Sequence, residues 1–171
     1  QKGFDTLINA FKRLPDPDLR LHIMGTGAEE QAIKDLAGAD DRIVFKGHVS
    51  DPVAAYGAVD AVVMPSRWEA YGLVAIEALA ARRPLLCTAV DGLKDHAVLG
   101  AQYVTGMSSE AFAASLKRFI EGENVPTAQH KAQAGAQQDP EHLWADLIDE
   151  CINPRPTPKT STLFPDIKSV A

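Results

Sequence analysis

Residues 61–78 read AVVMPSRWEAYGLVAIEA: four consecutive apolar residues, a Pro-Ser break, an aromatic-rich turn at Gly72, and an almost wholly apolar helical run. Ala61 to Met64 is the kind of continuous apolar run that fills a strand covered on both faces. Gly72 to Ala81 follows as an Ala-rich helix. A buried strand entering a helix through a short turn is half of a βαβ unit, and the rest of the chain repeats it. Upstream, a helix is expected over Phe4 to Leu14, ended by Pro15-Asp16-Pro17, and a strand over Leu19 to Met24 running into Gly25-Thr26-Gly27. A helix over Glu29 to Leu36, a strand over Ile43 to Phe45 closed by Gly47, and a helix opened by Asp51-Pro52 follow. Downstream, strands are expected at Leu85 to Cys87 and Ala101 to Val104, with helices over Ser109 to Glu121, Pro126 to about Gln137, and Pro140 to Cys151.

This alternation predicts an α/β fold, a Rossmann-like parallel sheet with helices on both faces. Ligand then binds beyond the carboxyl ends of the strands, in the loops after Met24, Phe45, Met64 and Cys87. Residues 1–152 read as one such domain. Residues 153–171, with four prolines, many Ser and Thr and no periodicity, read as a tail that packs poorly on this domain.

A length of 171 residues and 46% hydrophobic composition suffice for one core, with Ala, Leu, Ile and Val filling it because aromatics are only 6%. A net charge of −6 argues against nucleic-acid or anionic-membrane binding by the general surface. No apolar stretch approaches the ~18 residues of a membrane span. Helical pattern begins at once after Gln1 with no basic-then-apolar leader, and the chain is expected to be part of a longer protein. Cys87 and Cys151 are too far apart in sequence for a metal knuckle and are expected to be reduced, packing thiols.

Gly25-Thr26-Gly27 lies between a strand and a helix, as a dinucleotide-binding loop does. The third small residue of that fingerprint is due at position 30, which is Glu30, with Glu29 beside it. Two carboxylates there would repel a pyrophosphate, which disfavours a nicotinamide or flavin enzyme. A two-glycine turn open to some ligand, or a mere tight turn, remains. The stronger site is at Tyr71, Gly72 and Leu73, whose amides start a helix and are donors without intrahelical partners. Gly72 has no side chain to block close approach. Glu69 precedes that helix and Glu77 lies in its second turn, at most roughly 12 Å apart. Glu77 is set among Leu73, Val74, Ile76, Ala78 and Leu79, where a carboxylate needs a partner. Two acceptor groups flanking an anion site suit a ligand with phosphate in the middle and hydroxyls at both ends.

EAYGLVAIEALA, with two Glu eight apart around Gly-Leu, resembles the E-x7-E motif of retaining, nucleotide-sugar-dependent glycosyltransferases of the GT-B fold, family 4-like. Lys2-Gly3-Phe4-Asp5, LHIMGTG, VFKGHV, AVVMPSRWEAYGL and the proline of RRPLL resemble further family segments in the same order, over residues 1–100 and more weakly to about 150. The resemblance implies a donor-binding domain whose N-terminal acceptor half lies outside this sequence. It implies transfer of a hexose to a glycan, lipid or small-molecule acceptor in a cytoplasmic protein, free or peripheral at the inner membrane face, in pathways such as cell-envelope polysaccharide or lipopolysaccharide synthesis. Lys2 is then expected at the donor diphosphate, Gly25, Thr26 and Gly27 along the cleft, and His48 and Val49 at the base. Glu69, the catalytic candidate, would hold hydroxyls of the transferred sugar, the Tyr71–Leu73 amides the distal phosphate, and Glu77 the ribose. No metal and no cofactor are expected, the nucleoside diphosphate sugar being the substrate.

The chain departs from the family pattern in four places, one of them Asp95, which stands where a Glu is common. The family's Arg before the Lys-Gly turn would lie upstream of Gln1. Arg82 stands where Gly usually ends the motif helix, so a left-handed conformation is expected at a bulky residue. Asp91-Gly92 replaces Gly-Gly, which places a carboxylate near the expected diphosphate. These departures keep alive an alternative, a non-catalytic nucleotide-binding or interaction module of the same architecture.

Overall fold

The computed structural model describes residues 1–123, 169 and 170. Its elements alternate: α1 (Phe4–Phe11), β1 (Arg20–Met24), α2 (Glu30–Ala37), β2 (Ile43–Gly47), α3 (Pro52–Gly57), β3 (Val62–Met64), α4 (Leu73–Ala80), β4 (Leu85–Cys87), a 3₁₀ helix (Asp91–Leu99), β5 (Gln102–Tyr103), α5 (Ser109–Ile120) and β6 (Ser169–Val170). Every strand pairing is parallel. The strands form two three-stranded sheets, β2-β1-β6 and β3-β4-β5. The Rossmann-like α/β class expected from the sequence is the one observed.

Burial shows why β3 and β4 read as unbroken apolar runs. Val63 and Leu86 join a core built from α1, β1 and α5, with Leu7, Phe11, Leu21, Phe112 and Leu116. Their neighbours Val62, Met64, Leu85 and Cys87 point the other way, into a second core with Ala75, Ala78, Leu93 and Tyr103. A strand with a core on each face has no position for a polar side chain. Cys87 is free and buried, and burial pushes its thiol up to about 12.

Polar caps start α3 and α5. Asp51 accepts from the Ala54 amide at 3.1 Å and Ser108 from the Ala111 amide at 3.2 Å. Helix α1 stops at Phe11 rather than Leu14, because the residues to Pro17 turn to meet Arg42, which donates to the Leu14 and Asp16 carbonyls.

Two differences from the sequence reading stand out. The 3₁₀ helix Asp91–Leu99 was not expected, having neither an α-helical apolar stripe nor strand alternation. In the segment read as a tail, Ser169 and Val170 form a strand parallel to β1 at Arg20 and Leu21. A two-residue strand without alternation leaves no sequence signal. The expected helices over Pro126–Gln137 and Pro140–Cys151, Cys151 itself and the remainder of the tail lie outside the described residues.

Candidate functional site

The carboxyl ends of β1, β2 and β3 open into a cleft of about 1050 Å³. Its wall includes Lys2, the Gly25-Thr26-Gly27 turn, His48, Val49 and Glu77, residues from four separate segments expected to share a site. Gly25 adopts φ 111° and its amide donates to the Gly47 carbonyl at 2.7 Å, tying the end of β1 to that of β2. With no atom within 4 Å of its missing Cβ, Gly25 is needed for the turn and not for packing. His48 is exposed. Glu30 of the same wall is paired with Lys34 at 2.6 Å, which offsets part of the acidic character read from Glu29-Glu30.

The N-terminal turn is fastened to the loop after β3. Gln1 accepts from the Arg67 amide at 2.8 Å, and the Arg67 guanidinium donates to Asp5 at 2.7 Å and Thr6 at 3.0 Å. That guanidinium holds the Asp5 carboxyl below its ordinary range. Gly3, at φ 71°, lies so close to Pro65 that a Cβ would sit 2.0 Å from its carbonyl oxygen. The consequence is an ion pair between Lys2 Nζ and Glu69 Oε2 at 2.6 Å, with Glu69 only 15% exposed. A cation expected at a diphosphate and a carboxylate expected at a sugar are thus adjacent, held by backbone on both sides.

Glu77 also has a partner in its own chain. Tyr56 of α3 donates its hydroxyl to Glu77 Oε2 at 2.8 Å. Half-burial and the facing carboxylate raise the Tyr56 hydroxyl above its ordinary range, so it stays a donor. The sequence reading gave Glu77 no protein partner because Tyr56 lies 21 residues away on another helix. One carboxylate oxygen is committed and the other remains an acceptor for the cleft.

Gly72 needs a correction. The space its absent side chain leaves is filled by protein: a Cβ would lie 2.4 Å from Leu93 Cδ2 and 3.5 Å from His96 Nε2. Gly72 caps α4 with φ 81°, so its missing side chain serves the turn and the packing of the 3₁₀ helix, and no ligand has room on that side of it. The Tyr71 and Leu73 side chains are exposed, and only their backbone fits the anion role. Glu69, Tyr71, Gly72 and Leu73 lie outside the cleft wall proper, joined to it through the Lys2–Glu69 pair.

His96 went unnoticed in the sequence. It is fully buried, its Nε2 lies 2.7 Å from the Tyr71 carbonyl, its ring meets Tyr71 edge-on, and its Nδ1 is buried without a partner among the described residues. Its neighbour Asp91 has φ 31°, and Gly92 packs so closely on the loop that a Cβ would lie 2.4 Å from the Ala70 oxygen. Arg82 follows α4 at φ 56°, the left-handed conformation expected for the family's glycine.

An α/β domain with a cleft at the carboxyl ends of parallel strands, lined by a glycine turn and by Glu77, is a Rossmann-like domain. Residues 1–138 match the family "Glycosyl transferases group 1". The chain belongs to this family. It is 36% identical over 108 residues to mannosylfructose-phosphate synthase of Agrobacterium fabrum, covering 54% of this chain and 24% of that protein. It is 32% identical over 148 residues to glycogen synthase of Mycobacterium tuberculosis, covering 81% and 35%. The chain therefore spans about a quarter to a third of these curated relatives. Among solved structures it resembles HepE of Anabaena in complex with UDP and glucose, with TM-score 0.63 and 22% identity over 88% of this chain and 43% of that one. It also resembles the apo lipopolysaccharide outer core galactosyltransferase WaaB, with TM-score 0.61 and 22% identity over 71% and 37%. These likenesses establish the GT-B type of fold. Among the described residues no helix is long and apolar enough to cross a membrane.

Proposed function

We propose that this chain is the donor-binding half of a retaining glycosyltransferase that moves a hexose from a nucleoside diphosphate sugar to an acceptor held by a second Rossmann-like half. The observation that carries the reading is the Lys2–Glu69 ion pair, whose lysine lines the same cleft as Glu77. Lys2 is the cation for the diphosphate, the first-turn amides of α4 share its charge, and no metal is required of the protein for that neutralisation. Glu69 receives the hexose hydroxyls and Glu77 the ribose hydroxyls through its uncommitted oxygen, as carboxylates accept strongly from hydroxyls. The base lies along His48 and Val49. The catalytic work of this half is placement of the donor and stabilisation of the departing diphosphate. The relative solved with UDP and glucose supports this ligand class. The expected setting is cytoplasmic, with any membrane contact made by the other half.

The ion pair makes the test specific. Glu69→Ala removes the sugar's partner and releases Lys2. Affinity for the nucleoside diphosphate sugar is expected to fall about tenfold or more, while affinity for the free diphosphate holds or rises. Equal losses for both ligands would refute the roles assigned to Glu69 and Lys2.

A further inference from the structure

We propose that His96 is a positioning residue: from the 3₁₀ helix it fixes the orientation of the Tyr71–Gly72 peptide, and so aims the Gly72 N–H at the phosphate of the donor. The assignment rests on the donor-site reading of the α4 N-terminus given above.

A carbonyl can only accept, so the 2.7 Å contact between His96 Nε2 and the Tyr71 oxygen puts the hydrogen on Nε2. The preceding carbonyl but one is held the same way, Gly92 N–H donating to the Glu69 oxygen at 3.2 Å. Two carbonyls of the loop thus point at the 3₁₀ helix. Among the described residues there is no cis peptide. In a planar trans peptide the N–H points opposite to the C=O, so the amides of Ala70 and Gly72 are turned away from the 3₁₀ helix.

The Tyr71–Gly72 bond is where such control matters. A peptide preceding glycine can rotate to present either its C=O or its N–H, because glycine tolerates both signs of φ. Presenting the carbonyl would place a negative dipole against a phosphate. His96 holds the other orientation, with Leu93 and Gly92 of the same 3₁₀ helix packed closely on Gly72 and Ala70. The buried Nδ1, without a partner among the described residues, is costly at a position with no exposure, where an apolar side chain would leave nothing unpaired. Its other nitrogen accounts for its presence.

Nuclear magnetic resonance on the full chain tests this, with uridine, guanosine and adenosine diphosphates and their parent nucleosides as probes. With the diphosphate that binds, the wild-type Gly72 amide is expected to shift, and with its nucleoside to stay. His96→Leu is expected to lose the Gly72 shift and to bind the diphosphate about tenfold more weakly, with nucleoside affinity unchanged. His96→Gln, whose amide nitrogen reaches as far as Nε2, is expected to restore both. Equal weakening for diphosphate and nucleoside, or no weakening, would overturn the assignment. If His96→Leu does not fold, the wild-type chain decides: diphosphate binding with an unmoved Gly72 amide overturns it. Binding of none of the diphosphates refutes the donor-site reading itself, and this assignment falls with it.

Discussion

At the residue scale, the Tyr56–Glu77 bond separates two effects that a single Glu77 substitution would mix. Tyr56→Phe keeps the ring and removes one donor, so the fold is expected to hold while nucleoside diphosphate affinity falls severalfold as Glu77 loses its anchor. Glu77→Ala is expected to abolish nucleotide binding and to cost about 1 kcal/mol of stability, because it strands the half-buried Tyr56 hydroxyl. Calorimetric titration beside denaturant unfolding checks both, and unchanged affinity in Tyr56→Phe would sink the anchoring role. Arg42 gives a pH prediction. It donates to Asp40 at 2.7 and 2.9 Å and holds that carboxyl below its ordinary range. A depressed carboxyl contributes stability that is present above the unfolded-state value and lost as pH falls through the folded-state one. Stability is therefore expected to drop below about pH 4, and less steeply in Asp40→Asn. Arg82 was legible in the sequence as a left-handed residue through the family resemblance, which puts a glycine at that position. Arg82→Gly is expected to raise stability by about 0.5–1 kcal/mol, and a lower melting temperature would contradict it.

At the scale of elements, β3 was readable because it has one environment throughout, with a core on each face, and α4 because its apolar run puts Ala75, Ile76, Ala78 and Ala80 inside. The 3₁₀ helix was not, because its position is fixed by contacts to a loop about twenty residues earlier, which no local pattern encodes. The glycines record those contacts. Gly3→Ala would drive a Cβ into the Pro65 backbone, and Gly72→Ala would meet the movable end of Leu93. Costs of about 3 and about 1–2 kcal/mol are expected respectively, read by chemical denaturation, and the reverse order would show that the N-terminal turn can shift. The same reasoning explains why Gly72 looked like a gap for ligand: sequence shows that a side chain is missing, not what occupies its place.

At the scale of the molecule, strand-helix alternation was sufficient to give the parallel α/β fold and to put the cleft at the strand ends, since buried parallel strands leave only their loops for chemistry. The pairings within the site were beyond it. Lys2 with Glu69 and Tyr56 with Glu77 join residues 67 and 21 positions apart, and each arises from how the elements dock. The central proposal is that this cleft takes a nucleoside diphosphate sugar. Titration calorimetry of the chain against uridine, guanosine and adenosine diphosphates, their hexose conjugates and their parent nucleosides tests it most directly. The account predicts saturable heat for one base, stronger for the diphosphate than for its nucleoside, and reduced for the diphosphate in Lys2→Ala. No binding by any of the panel, or binding that Lys2→Ala leaves unchanged, would contradict it.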